Sequence, residues 1–509
     1  MSETWLEPRV RLRDNPIGIA QARRRLRRRQ ALPTLAIVLL LSLSAAFYGS
    51  LTGEWLGVRS SLLVLFGILL FLGGVTQVAT TVSEDRRSRL LDFHRATPTT
   101  PFTDALGYAI GSVAREYAAC GAVLPFAIGA TLLAGQSLLA LGVGLLDIVI
   151  CGWLYHAFAM NLALSSDRKR IPQSAGVIVA LLYLVVFPLS RAGAGVLAHL
   201  TPIPTLAVLG VVAGGEDLTG FTFYGAPLSP LVFSFFAKGY LIAFLFWSAA
   251  RKLRREGAHA FTRHGALAFF AITEFVWLGP VWSQLGAPAR VALGGAVFAA
   301  IALTLACVLG ASLVPQYLEY ARCARRAARR ASAPHWSEEG ASAWPLIPAF
   351  ALLVWLGTAA VVALPSASPG PAAALLSFEA LLMTASSVAV IAFAIGAVEF
   401  LRLGMRGAAK SGTFFVGFVT LVLPWIAGSI VLASSLEPGV AYYVFACSPV
   451  FAGGGSIGLW AGALALDPVD PLRAHHVVLS CAVTAALATW FLLRGAALRR
   501  AIRSESPAP

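Results

Sequence analysis

The chain has 509 residues, 58% of them hydrophobic and only 12% charged, with a mean hydropathy of +0.77. A soluble globular domain carries roughly twice that share of charge, so the composition excludes one and makes lipid the main solvent. The net charge of +15 does not describe a nucleic-acid surface, because the arginines sit in short loops between apolar stretches and not on one polar domain.

In chain order, about thirty polar residues come first, including Arg23 to Arg25 and Arg27 to Arg29, without the apolar core and cleavage pattern of a signal peptide. Apolar stretches then recur near 32–50, 60–82, 105–134, 138–164, 173–195 and 228–250. A second set lies near 266–285, 291–314, 345–364, 371–400, 412–434 and 476–496. Each is long enough to cross a hydrocarbon core of about 30 Å. The expected fold is therefore an all-α polytopic membrane protein of about twelve transmembrane helices.

Charge sets the expected orientation. The N-terminus and the segments 83–103, 165–172, 251–265, 315–343 and 402–410 are basic, whereas "TGEWLG", "PSASPGP" and "SLEPG" carry almost no Lys or Arg. Basic segments stay in the cytoplasm, which predicts a multi-pass protein of the cytoplasmic (inner) membrane with both termini inside. The apolar stretch 440–466 then enters from outside and returns, as its Ser448-Pro449 and "AGGGSIG" breaks permit.

An ungapped internal match pairs Leu145-Leu146 through Pro188 with Leu381-Leu382 through Pro424, and places Arg170 on Arg406 and Gly176 on Gly412. It predicts two six-helix halves, 32–255 and 256–500, after a cytoplasmic segment 1–31 and before a short tail 501–509. The six cysteines, Cys120, Cys151, Cys307, Cys323, Cys447 and Cys481, show no CxxC or framework spacing; all but Cys323 lie in or beside apolar stretches and read as small buried thiols.

Between the second and third apolar stretches lies "SEDRRSRLLDFHRATPTTPF", residues 83 to 102. Ser83 is suited to capping a helix that Pro98 must end. On a helical wheel Leu90, Leu91 and Phe93 share one side and Glu84, Asp85 and Asp92 the other. The expected element is a short amphipathic cytoplasmic helix offering charge and apolar anchors to something outside the bundle.

This stretch resembles the signature of ABC-2 type transporter permeases, in its Glu84, Arg87, Leu90, Leu91, Thr97, Pro98 and Gly107. The resemblance implies that residues 84–98, with Phe93, form a coupling helix that docks into an ATPase subunit. "NPIGIAQARRRLRRR" resembles the family's interfacial elbow helix, though Ala20-Gln21-Ala22-Arg23 replaces the usual pattern. The Gly- and Pro-rich outer segments "LTPIPTLAVLGVVAGG" and "CSPVFAGGGSIG" resemble its external re-entrant helices. In the second half "QYLEYARCARRAARR" occupies the coupling position but lacks the Leu-Leu and Thr-Pro elements.

The chain offers no ATP site of its own. Gly404 to Ser411 has the Walker spacing, but Ala409 stands where the pattern needs glycine, and an apolar helix precedes it instead of a strand. ATP and its magnesium are thus expected only in a separate cassette ATPase, and this chain is not expected to be an enzyme. The expected function is the permease subunit of an ABC exporter for an unknown substrate.

Asp147, Glu274 and Glu379 are the acids expected inside apolar spans, each at an insertion cost of roughly 2.5–3.5 kcal/mol. They read either as a proton relay or substrate contact, or as inter-helix hydrogen bonds. The first reading defines an alternative, an ion-coupled secondary transporter using Asp147. Another alternative is a membrane-embedded lipid-modifying enzyme, for which only the turn with Asp467, Asp470, His475 and His476 speaks. That spacing fits no recurrent metal site, and no metal is expected.

Overall fold

The computed structural model describes residues 15–96, 99–165, 171–189, 195–210, 222–255, 258–283, 288–330, 334–363, 378–404, 444, 446–464 and 471–504. They are mostly helical, and seven helices are long and apolar enough to cross a membrane, or eight if one bent pair counts as a span. The chain is a multi-pass membrane protein. It divides into two compact units, Met1–Thr222 with Ala226–Ala260, and Phe223–Gly225 with Phe261–Pro509.

In the first unit α1 (Pro16–Arg25) begins at an Asn15 cap with Pro16 in its first turn. The capping oxygen accepts from the Ile17 and Gly18 amides, which satisfies two of the orphan donors at the helix start. Next come α2 (Arg28–Thr52) and the 33-residue α3 (Trp55–Arg87). Gly53 joins them at φ 74°, a left-handed cap that glycine adopts without strain. Only 17% of the apolar window of α2 is buried, so α2 gives most of its surface to lipid.

The helix α4 (Leu90–Ala96) follows α3. After it come α5 (Pro101–Gly111), α6 (Ala114–Leu133) and α7 (Leu138–Ser165). The unit closes with α8 (Ile171–Leu189), a 3-10 turn over Gly195–Leu200, α9 (Ile203–Val208) and α10 (Pro230–Arg254).

Helices α7 and α10 run parallel. Asp147 meets Lys238, and further along both helices Asn161 bonds the Leu245 carbonyl and Ser248. Residues 195–210 form no span. They insert among α7, α8 and α10 with Thr201 and Thr205 fully buried. Their broken backbone is satisfied from inside: the Leu200 carbonyl accepts from Tyr155 Oη at 2.8 Å, and the Gly210 carbonyl from Arg59 at 3.1 Å. Irregular backbone at membrane depth survives only with partners of this kind.

The second unit contains α11 (Arg263–Ser283), α12 (Pro288–Ser312) and α13 (Tyr317–Arg329). These are followed by α14 (Leu346–Ala363), α15 (Phe378–Gly404), α16 (Pro449–Leu464) and α17 (Pro471–Ser504). Helices α15 and α17 run parallel, as the Phe393–Phe491 ring pair and the Glu399–Arg499 ion pair show. Packed against both, α16 runs the other way: Gly455 approaches Val477 while the Ser448 carbonyl accepts from Ser480. Its 16 residues reach about 24 Å, short of the hydrocarbon core.

Three expectations need correction. The stretch 105–134 is not one helix: α5 and α6 are separate, broken at Ser112-Val113. The break lets α5 lie against α1, where Gly18, Gly107 and Gly111 bring the two backbones together. Ser83 starts no helix either. It is buried within α3, which continues to Arg87, and the chain turns at Arg89 with φ 59°. Glu379 is not deep in a span but half-buried in the first turn of α15, where the helix dipole favours a carboxylate. The expected span 412–434 lies outside the described residues.

Candidate functional site

The polar stretch between α3 and α5 is built from four helices of the first unit. Asp85, buried near the end of α3, accepts from Tyr108 Oη of α5 at 2.8 Å and from Gln21 Nε2 of α1 at 3.2 Å. Arg25 of α1 donates to Thr81 Oγ1 at 2.8 Å, and Arg24 pairs with the exposed Glu84 at 3.3 Å. The Asn15 amide reaches across to the Thr103 carbonyl. These bonds tie α1, α3 and α5 together.

Helix α4 stands on that block. His94 rests edge-on against Tyr108, with ring centroids 6.3 Å apart, and burial pulls its pKa down while Asp85 opposes the shift. Arg95 Nε donates to the Leu253 carbonyl at the end of α10, 2.8 Å away, and Arg95 also pairs with Asp92. Asp104, buried in the first turn of α5, has its pKa raised to about 6 by desolvation, against a lowering bond from Thr99.

The expected apolar face of this segment is split. Leu91 is 3% exposed and belongs to the core of the unit, whereas Leu90 and Phe93 are 39% and 65% exposed. The break at Arg89 re-phases the helix, so the wheel drawn from Ser83 does not apply. Leu91 is the peg that holds α4, and Leu90 and Phe93 are the outward anchors. Glu84 and Arg87 are exposed beside them. Thr97 and Pro98 lie outside the described residues.

The intramembrane site is an ion pair. Lys238 Nζ donates to both Asp147 oxygens at 2.6 and 2.7 Å and to Ser234 Oγ at 2.7 Å, with Lys238 and Asp147 both fully buried. The sequence reading weighed Asp147 and passed over Lys238, although a lysine within 228–250 costs as much to insert as the aspartate. His156, buried on α7, reaches the Leu70 carbonyl at 3.1 Å. A π-helical turn over Leu69–Gly74 in α3 opens that carbonyl. Gly74 makes the approach possible, since any Cβ there would collide with the imidazole.

Other polar groups escaped the sequence reading. Glu116 is buried at the start of α6 and pairs with Arg115 at 2.6 Å. In the second unit Glu399 pairs with Arg499 at 2.7 Å, and Arg499 also lies over the Trp344 ring at 4.3 Å. Both glutamates stand within stretches scored as apolar, so a scan for charge inside each window finds them. Glu274 is buried in α11, its Oε1 without a hydrogen-bond partner among the described residues, and close to Gly357 of α14. His475 and His476 stack edge-on in α17, Asp467 and Asp470 lie outside the described residues, and no metal-binding group occurs among the described residues.

Each unit carries an apolar groove. That of the first unit, about 600 Å³, is lined by Phe71, Ile148, Tyr183 and Leu206 among others. That of the second, about 470 Å³, involves Leu303, Val390, Phe393 and Gly453. Comparison of the chain with family models, with curated proteins and with solved structures finds no match.

Proposed function

We propose that the chain is the permease subunit of an ATP-binding-cassette exporter of ABC-2 type, with twelve spans in two six-helix halves. It sits in the cytoplasmic membrane with both termini inside and moves an unknown substrate. ATP is hydrolysed by a separate cassette subunit docked at residues 84–98. One observation carries this reading: a seven-residue helix after the second span, pegged into the core by Leu91, presents Leu90 and Phe93 outward. Closure of the ATPase dimer would push this handle, and the Asp85 bonds to α1 and α5 would pass the displacement into the bundle as a rigid-body switch.

The test separates anchors from peg. Leu90→Ser with Phe93→Ser is expected to abolish copurification of a cassette ATPase encoded beside this chain while leaving the permease folded. Leu91→Ser is expected to lower thermal stability, by the roughly 2–5 kcal/mol typical of removing a core leucine. A double variant that still retains the ATPase rejects the docking role of α4. The ion-coupled carrier ranks below this reading, because Asp147 is already engaged by Lys238 in a closed, fully buried pair.

A further inference from the structure

The helix α13 occupies in the second unit the place that α4 occupies in the first, directly after the span at α12, yet its surface chemistry differs. It meets Phe298–Ser312 at a bend of 66°, which turns it from the span direction toward the membrane plane. A capping box fixes its start, with the Gln316 amide donating to Glu319 Oε2 at 2.9 Å. One face is closed: Tyr320, Ala321 and Ala324 pack with Leu403 of α15 and Ile502 of α17. Arg402 of α15 holds the corner by donating to the Val314 carbonyl, and Arg503 of α17 donates to Tyr320 Oη at 3.1 Å. So α13 lies across the C-terminal ends of α15 and α17.

The other face carries Leu318, Arg322, Arg325 and Arg329, spaced at i, i+4, i+7 and i+11, all exposed, with exposed Arg326 and Arg330 alongside. Among the described residues no carboxylate pairs with Arg322, Arg325 or Arg329, and Arg330 reaches Glu338 only at 3.4 Å. Where α4 shows two apolar knobs, α13 shows a guanidinium stripe with a single exposed leucine. A protein groove would need apolar anchors and matched acids. A layer of phosphodiesters needs only cationic donors held at its own level, which is what a helix lying across the ends of spans supplies.

We infer that α13 is a binding surface for the anionic phospholipid headgroups of the adjacent leaflet, with Arg322, Arg325 and Arg329 contacting phosphates and Leu318 entering the acyl boundary. This goes beyond the permease reading and does not depend on it. The two units then treat their corresponding helices differently, one as a protein contact and one as a lipid contact.

Leu318 shares the stripe, so a photoreactive benzoylphenylalanine at that position reports what covers it. In nanodiscs of phosphatidylcholine with increasing phosphatidylglycerol, the full chain is expected to crosslink to phosphatidylglycerol in preference to phosphatidylcholine. The triple variant R322Q/R325Q/R329Q is expected to lower that yield roughly tenfold or more, at unchanged thermal stability. R322K/R325K/R329K, which keeps the charge, is expected to retain most of it. Equal crosslinking to both lipids, a yield unaffected by the glutamine variant, or in native membranes an adduct to a second polypeptide would each overturn the inference. None of these outcomes bears on docking at α4, which the Leu90 and Phe93 variants test separately.

Discussion

A buried charge is informative only with its partner. Asp147 alone left a proton site and a packing bond equally open, and Lys238 favours the packing bond, because both carboxylate oxygens are already engaged. Removing one member of such a pair strands the other in a dry interior, at a cost of about 3–5 kcal/mol. Asp147→Asn is therefore expected to lower the thermal midpoint of the purified protein in detergent clearly, and Asp147→Asn with Lys238→Met to recover much of the loss. A single variant as stable as the parent, yet inactive in transport, would revive the carrier reading. Leu91 teaches the same lesson about partners. Its type suited either a docking face or a core, and only the kink at Arg89 assigned it to the core.

At the scale of elements, the contact between α1 and α5 shows how small residues set geometry. A Cβ at Gly107 would stand 2.7 Å from Asn15 Nδ2, and one at Gly111 would meet the Gly18 carbonyl itself. Gly107 and Gly111, one turn apart, form the seat on which α1 rests, and Asn15 both caps α1 and ties it to Thr103. Gly111→Ala must push the α1 backbone away, at the roughly 1–3 kcal/mol of an overpacked contact. It is expected to lower the thermal midpoint and to speed proteolysis within residues 15–29, whereas Gly121→Ala, at a position with open space, changes neither. The glycines were visible in the sequence. Their pairing was not, because Gly18 and Gly111 lie far apart in the chain and neither helix announces the other.

For each unit as a whole, direction follows from the contacts. In the first, the ends of α3 and α10 meet at α4, while the turn at Gly53 lies at the opposite end of α3 and the turn at Gly135 joins α6 to the start of α7, which runs parallel to α10. The first end carries Arg86, Arg87, Arg95, Arg251 and Arg254, and the Gly53 and Gly135 turns carry Glu54 as their one charge. That asymmetry is what the positive-inside rule reads. With the native cysteines replaced, Ser88→Cys and Gln136→Cys are expected to react with a membrane-impermeant maleimide from opposite faces of sealed vesicles, Ser88 from the cytoplasmic one. Labelling of both from one face would overturn the assignment of α6 as a crossing.

Apolar length and loop charge are local properties, so the sequence alone determined that this is a helical multi-pass membrane protein and which segments separate its apolar stretches. It also marked the polar segment after the second stretch, because four arginines between two apolar runs stand out without any fold. Tertiary structure decided the rest. It ended α3 at Arg87, split α5 from α6, matched Asp147 with Lys238 and Glu399 with Arg499, and turned Leu91 inward. The physical reason is common to all of these. Hydropathy records the cost of placing a residue in lipid, whereas a kink, a glycine contact or a buried ion pair is stabilised by a group elsewhere in the chain, whose position no window along the sequence contains.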